Sequence, residues 1–387
     1  MSERRTDVLI VGAGIIGLSV AYHLRSQGDV DVLVLEKEED IGLGSSSLCA
    51  GGIRHQFGIP QNVKLSIYST DFFSRLEELS GRETGYRQNG YLFTVREAVN
   101  LERFREMAEM MRGLGLEVEV LAPGEIKERF PFVETSDLAG GTFCKRDGYM
   151  DPHSVLQSLY RLDRDVGVRF SLGERVLEIV PSGPRDFEVV TEKGRIRARY
   201  VVNAAGPYAG EVAKLAGLEI PVEPYRRQIF ITDRFPHIPD DSPMVVDYEK
   251  HWYGRMETGS FMFGMSNLEE KPGFNTSLDY DFMEEMVNVA IERIPALERA
   301  GISRGWAGLY AITPDHNPII EESPELEGFV HVCGFSGHGF MHAPGAGKLA
   351  AEIILNGRTS LLNEEEMGVF SSSRFKEAKI SSERLMI

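Results

Sequence analysis

The sequence predicts an α/β protein built on a parallel sheet, with a second, antiparallel-sheet domain inserted into it. Three observations carry this. The first 36 residues read as one βαβ unit, and the chain returns to the same strand–turn–helix style after Phe329. Between them, residues 219–270 are rich in Pro, aromatic and β-branched residues, as expected of an antiparallel sheet. A chain of 387 residues is long enough for two or three domains. The expected division gives 1–84, 147–214 and 301–370 to the parallel-sheet domain, 85–146 and 215–300 to the inserted domain, and 371–387 to a C-terminal tail.

Each element has a local reason. Val8–Val11 is a four-residue apolar run, read as a buried strand that Gly12 breaks. From Ile15 to about Gln27 apolar residues recur at helical spacing, and Gly28 is the expected stop. Val32–Leu35 is a second buried strand ending on Glu36. Residues 60–80 and 97–113 read as helices, with the strand Tyr91–Val95 between them. Val168–Phe170, Phe187–Thr191 and Tyr200–Asn203 read as strands, and a Glu-Lys-Gly turn after Thr191 marks a hairpin. A helix is expected near 280–293, a strand at Phe329–Val332, and a last helix from about Pro344 to Leu355.

Composition narrows the function classes. Lys and Arg number 42 against 59 Asp and Glu, a formal charge of −17 with no basic block, so a phosphate-backbone partner is not expected. No apolar run approaches the roughly 18 residues of a membrane span. The short apolar stretch after Asp7 ends in glycine, unlike a signal peptide, and a cytoplasmic protein is expected. Cys49, Cys144 and Cys333 are too scattered for a disulfide framework or a thiolate metal site. His338 and His342 stand four apart, but Gly337 and Gly339 argue against a helix there; no metal is expected.

The chemistry begins at Gly12-Ala-Gly14-Ile15-Ile16-Gly17, a G-x-G-x-x-G motif between strand and helix. Gly12 makes the turn, Gly14 admits a pyrophosphate against the backbone, and Gly17 lets helix pack on strand. The anion then lies on a helix N-terminus, where free N–H groups and the dipole favour negative charge. Glu36 follows Gly17 by 19 residues, the place for a carboxylate that binds ribose hydroxyls. This is a Rossmann-like dinucleotide site.

Three further segments select the dinucleotide by resemblance. Gly42-Leu-Gly44-Ser45-Ser46-Ser47-Leu-Cys49-Ala50-Gly51-Gly52-Ile53-Arg54-His-Gln-Phe-Gly58 resembles the second FAD-contacting stretch of the D-amino-acid oxidase superfamily. Val201-Val-Asn-Ala204-Ala205-Gly206-Pro resembles its middle strand, and Gly334-Phe-Ser-Gly337-His338-Gly339-Phe340-Met341 its C-terminal flavin-contacting turn. Gln88–Phe93, Ile220–Tyr225 and Trp306–Pro318 are similar to the beta subunits of archaeal L-proline dehydrogenase and multimeric sarcosine oxidases. The resemblance implies a FAD-binding domain of the glutathione-reductase type and non-covalent FAD. Lys37 and Val176 join the residues already named as its cofactor contacts. A partner flavoprotein subunit or another electron acceptor is also implied.

The same resemblance points to Arg54 as anchor of a substrate carboxylate, which a guanidinium can hold bidentately. Tyr253 and Tyr310 fall near family positions that cover or bind substrate, and His338 lies in the flavin-contacting turn. Cys49 stands where dimethylglycine and sarcosine dehydrogenases carry a flavin-linked histidine, and reads here as a small residue lining the cofactor. Gly308 replaces the cysteine that anchors flavin in monomeric sarcosine oxidase. Met341 and Met262 replace two of that enzyme's lysines. The implied reaction is oxidation of a secondary or tertiary amino acid of the proline or sarcosine type by hydride transfer to flavin N5, by a dehydrogenase rather than an oxidase. The alternatives are a glycine- or sarcosine-type oxidase releasing hydrogen peroxide, and a flavin-fold assembly or scaffold protein without turnover.

Overall fold

A computed structural model describes residues 4–376, Ser382, Glu383 and Leu385. Two eight-stranded sheets dominate it. In the first, the strand Arg4–Val11 lies between Val32–Leu35 and Gly194–Asn203, parallel to both, and Phe329–Cys333 continues the parallel run beyond Asn203. These central strands are buried on both faces, which is why they read as unbroken Val/Leu/Ile runs rather than alternating ones. One face is covered by the helices Ile15–Gln27, Pro60–Phe73, Pro152–Asp165 and Gly339–Asn356. The other packs on the hairpin of Val176–Gly183 and Asp186–Thr191 and on the helix Ala209–Leu215.

The second sheet runs in the order Ile302–Ile312, Glu223–Arg234, Ser260–Met265, Trp252–Glu257, Met244–Asp247, Tyr91–Val95, Gly140–Cys144, Val118–Leu121. All its pairs are antiparallel except Met244–Asp247 with Tyr91–Val95. Its outer face buries Phe230, Trp252, Phe261 and Phe263 against the helix Tyr280–Arg293. Its inner face looks back at the first sheet.

Most element expectations are met within two residues. Gly28 ends the first helix, its N–H donating to Leu24 O at 2.9 Å. The stretch 60–80 divides into Pro60–Phe73 and Leu76–Ser80. Two differences matter. The boundary at 301 assigns Ile302–Ile312 to the parallel-sheet domain, yet this strand pairs along its length with Glu223–Arg234 in the second sheet. Its partner lies some 80 residues away in sequence, so local pattern carries no trace of it. The last helix starts at Gly339, not near Pro344, so His342 is helical after all. Burial on nearly every side overrides the unfavourable Gly and Pro near its start.

Candidate functional site

A cavity of 640 Å³ opens between the two sheets, within the range typical of cofactor sites. Its floor is the turn after the first strand. Gly12 adopts φ +109, and a Cβ there would lie 2.6 Å from Ala204 O, so only glycine fits. At Gly17 a side chain would overlap the Gly12 carbonyl, which explains why this glycine packs helix on strand without lining the cavity. Ser46 Oγ accepts from Ile15 N at 3.0 Å and so caps the first helix from another loop. Neither that helix nor the one beginning at Gly339 carries an acidic residue in its first turn, leaving both N-termini favourable to anions.

Glu36 closes one end. Its carboxylate accepts from Ala13 N at 2.8 Å and from Glu38 N at 3.0 Å, which fixes it at the mouth of the glycine turn. Beside it Lys37 Nζ lies 3.5 Å over the Tyr208 ring, and Tyr208 stacks on Phe274. Gly14, Ile15, Ile16, Glu36 and Lys37 all line the cavity. So do Gly44, Ser45, Ser46, Cys49 and Val176. From the middle strand come Ala204, Ala205 and Gly206, and from the last turn Gly337, Gly339 and Phe340. Ala50, Gly51, Gly52, Ile53 and Met341 are not part of this lining, nor are His338, Arg54 and Tyr253. Leu48, Tyr208 and Thr276 line it without having been named; Leu48 lies inside the Gly42–Gly58 stretch and Tyr208 two residues after Gly206, whereas no sequence signal adjoined Thr276.

The opposite end holds the candidate reactive groups. Tyr310 rests on Gly337, whose φ of +94 and missing Cβ make room for the ring. Tyr253 lies beside Tyr310, and burial pushes both phenols up, so they are neutral donors. Arg54 is 1% exposed. One of its Nη groups donates to Gln56 O, and the other to His338 Nε2 at 3.0 Å and Leu385 O at 2.6 Å. Since a guanidinium only donates, His338 Nε2 accepts and the ring's proton sits on Nδ1, which has no protein partner. Burial, then the charge of Arg54, holds the His338 pKa well below its usual value, so the imidazole is neutral. Both hydrogens of one Arg54 nitrogen are thus committed, and an end-on bidentate carboxylate there requires displacing His338 or the Leu385 carbonyl.

Cys49 Sγ donates to Ser46 O at 3.2 Å, and burial pushes its thiol up to about 11. A thiol so disfavoured as thiolate is a poor nucleophile. Among the described residues, the group with metal-like spacing is His55, Cys144 and Asp147, not His338 with His342. Asp147 there already accepts from His55 N, His55 Nδ1 and Gln56 Nε2, a structural knot beneath the loop.

Known proteins share this architecture. Residues 7–353 match the family model "DAO: FAD dependent oxidoreductase". The chain is 31% identical to the cattle (Bos taurus) FAD-dependent oxidoreductase domain-containing protein 1, over 97% of this chain and 86% of that one. It is 30% identical to mitochondrial dimethylglycine dehydrogenase of Rattus norvegicus, over 97% of this chain but 46% of that larger protein. The crystal structure of L-proline dehydrogenase from P. horikoshii superposes with a TM-score of 0.90 at 30% identity, covering 98% of this chain and 100% of that one. The glycine turn, the acid at its mouth and the two acid-free helix ends suit FAD, and the chain belongs to the DAO family of FAD-dependent oxidoreductases.

Proposed function

We propose that the chain oxidises a carboxylate-bearing secondary or tertiary amine, of the proline or sarcosine type, at the carbon next to nitrogen, and passes the electrons to an acceptor other than oxygen. The observation that carries this reading is Tyr310 in the cavity lining against Gly337, with Tyr253 beside it and the buried Arg54–His338 pair close by. Relatives named for dimethylglycine, sarcosine and proline oxidation favour the substrate class.

FAD held non-covalently in the cavity supplies a two-electron acceptor for the hydride. The protein orients and desolvates. The neutral phenols of Tyr253 and Tyr310 offer hydrogen bonds without adding negative charge. The helix N-terminus at Gly339 and the buried Arg54 charge would favour negative charge on a group held against that turn. An amine bound in its neutral form needs no protein base: its lone pair forms an iminium ion as the carbon next to nitrogen gives up hydride, and water then adds to that ion, the protons leaving to solvent as it breaks into carbonyl and amine.

Dye-linked turnover with proline, sarcosine, dimethylglycine, glycine and D-amino acids tests this, with peroxide measured in parallel. Dye reduction by a secondary or tertiary amine without matching peroxide is expected. Stoichiometric peroxide overturns the dehydrogenase assignment, and silence with every amine overturns the reaction.

A further inference from the structure

The inner face of the second sheet is the wall against which a substrate over the cofactor must lie. Strand register decides which side chains it carries. Tyr253 pairs with Gly264, Gly264 with Ile229, and Arg227, two residues before Ile229, pairs with Gly308. Tyr310 follows on the same face two residues later. A Cβ at Gly308 would touch Leu48 at 3.1 Å, and Leu48 lines the cavity, so this face is the one turned to the cofactor loop. Arg227 therefore projects from the substrate wall beside Tyr310, its guanidinium 5.4 Å from that ring's centroid.

The arginines around this wall differ in what they have left to give. Arg255 is bound to Ala50 O, Met256 O and Glu257. Arg54 is bound to Gln56 O, Leu385 O and His338. Among the described residues, Arg227 makes one hydrogen bond, from Nη1 to the carbonyl of its neighbour Arg226 at 2.8 Å, and its Nε is buried with no acceptor. Glu270, the acid whose charge it feels, is already taken by Arg226 through Nε and Nη2. A charged donor left unpaired inside a protein is costly unless a ligand completes it.

Resting on the amine-oxidation reading above, we infer that Arg227 is the anchor of the substrate's carboxylate, with the Tyr253–Tyr310 pair as its neutral flank. Arg54 is then a positioning residue that fixes His338 and the chain's last described residue behind the turn. The substrate class follows: an amine that carries one carboxylate, held through two of the guanidinium's free N–H groups. Binding at Arg227 rather than at Arg54 puts the carboxylate on the sheet side of the site and turns the amine carbon back toward the cavity.

The test uses holoenzyme and a ligand that cannot be oxidised. Pyrrole-2-carboxylate has the ring nitrogen and carboxylate of a cyclic amino acid, but its aromatic ring has no sp3 carbon next to nitrogen to give up hydride. Its binding is read from the perturbation of the flavin absorbance, and pyrrole-2-carboxamide is the uncharged control. In Arg227→Met the carboxylate should bind about 100-fold more weakly or worse, with the carboxamide changed by less than about 3-fold. Arg227→Lys should recover part of the loss. FAD content and melting temperature of both variants should match wild type, which separates loss of the anchor from loss of the fold. Retention of carboxylate affinity in Arg227→Met, or its loss in Arg54→Met alone, overturns the inference, as does a wild-type protein that gives no response to the carboxylate. Failure of every amine to reduce the flavin is a different result: it removes the reaction while this titration still reports on Arg227.

Discussion

Met262 is buried on the inner sheet face in a small apolar group with Ala50, Ile229 and Trp306. It brings polarisable bulk close to the cofactor loop and no charge. Oxygen reduction begins by making an anion, so a cation at this position should lower its barrier. Met262→Lys is expected to speed reoxidation of the reduced flavin by oxygen, read by stopped-flow mixing, with wild type slow and dye-reactive. Glu36 is the second residue whose effect has a size. Glu36→Ala removes charge-assisted hydrogen bonds and should weaken FAD binding by about 1.5–3 kcal/mol, measured by fluorescence titration of the apoprotein. Glu36 was legible because its spacing from Gly17 is a local property of a βαβ unit. Arg227 was not, since its place on the wall depends on pairing with a strand some 80 residues later. The commitment of Arg54 was hidden for the same reason: its acceptor is the carbonyl of Leu385, 331 residues away.

Two helices carry predictions of their own. In Pro152–Asp165, which packs against the first helix, Asp163 is fully buried and neither carboxylate oxygen has a partner. Burial raises its pKa well above the ordinary carboxylate range. The folded protein then holds a proton that the unfolded chain releases near pH 3.9. This group's contribution to stability is therefore fully present below that pH and is lost as pH rises through the folded pKa. Asp163→Asn should raise the melting temperature at neutral pH and flatten its decline from acid to neutral, as followed by thermal melts across pH. Gly17→Ala should do the reverse, because the new methyl meets the Gly12 carbonyl: a loss of about 1–3 kcal/mol together with FAD retention. Ile15–Gln27, Ala98–Gly113 and Tyr280–Arg293 were readable from the sequence, whereas Pro123–Arg129, Pro152–Asp165 and Ala209–Leu215 were not identified. Nor was the start of the last helix, because Gly337, Gly339 and Pro344 are poor helix residues that only tertiary burial makes tolerable.

At the scale of the molecule, the two sheets are joined across the cofactor loop. Trp306 Nε1 donates to Leu48 O at 2.9 Å and Arg255 to Ala50 O at 2.9 Å, each from the second sheet to the 45–52 segment. At the far end, Phe274 of the inserted region stacks on Tyr208 with centroids 4.6 Å apart and planes 18° apart, while Thr276 lines the cavity. Phe274→Ala should speed FAD release about 2- to 10-fold, the worth of one aromatic pair, measured as flavin fluorescence recovered on dilution. The α/β class and the inserted sheet were visible in composition and strand style; the membership of Ile302–Ile312 needed the register itself. Among the described residues no helix is long and apolar enough to cross a membrane. The measurement that bears most directly on amine oxidation is anaerobic titration of the yellow holoenzyme with proline, sarcosine and dimethylglycine. Bleaching of the flavin band by one of these, complete at one equivalent with imine hydrolysis products formed in equal amount, is expected. A flavin that stays oxidised with every amine, yet bleaches with dithionite, would contradict the assignment.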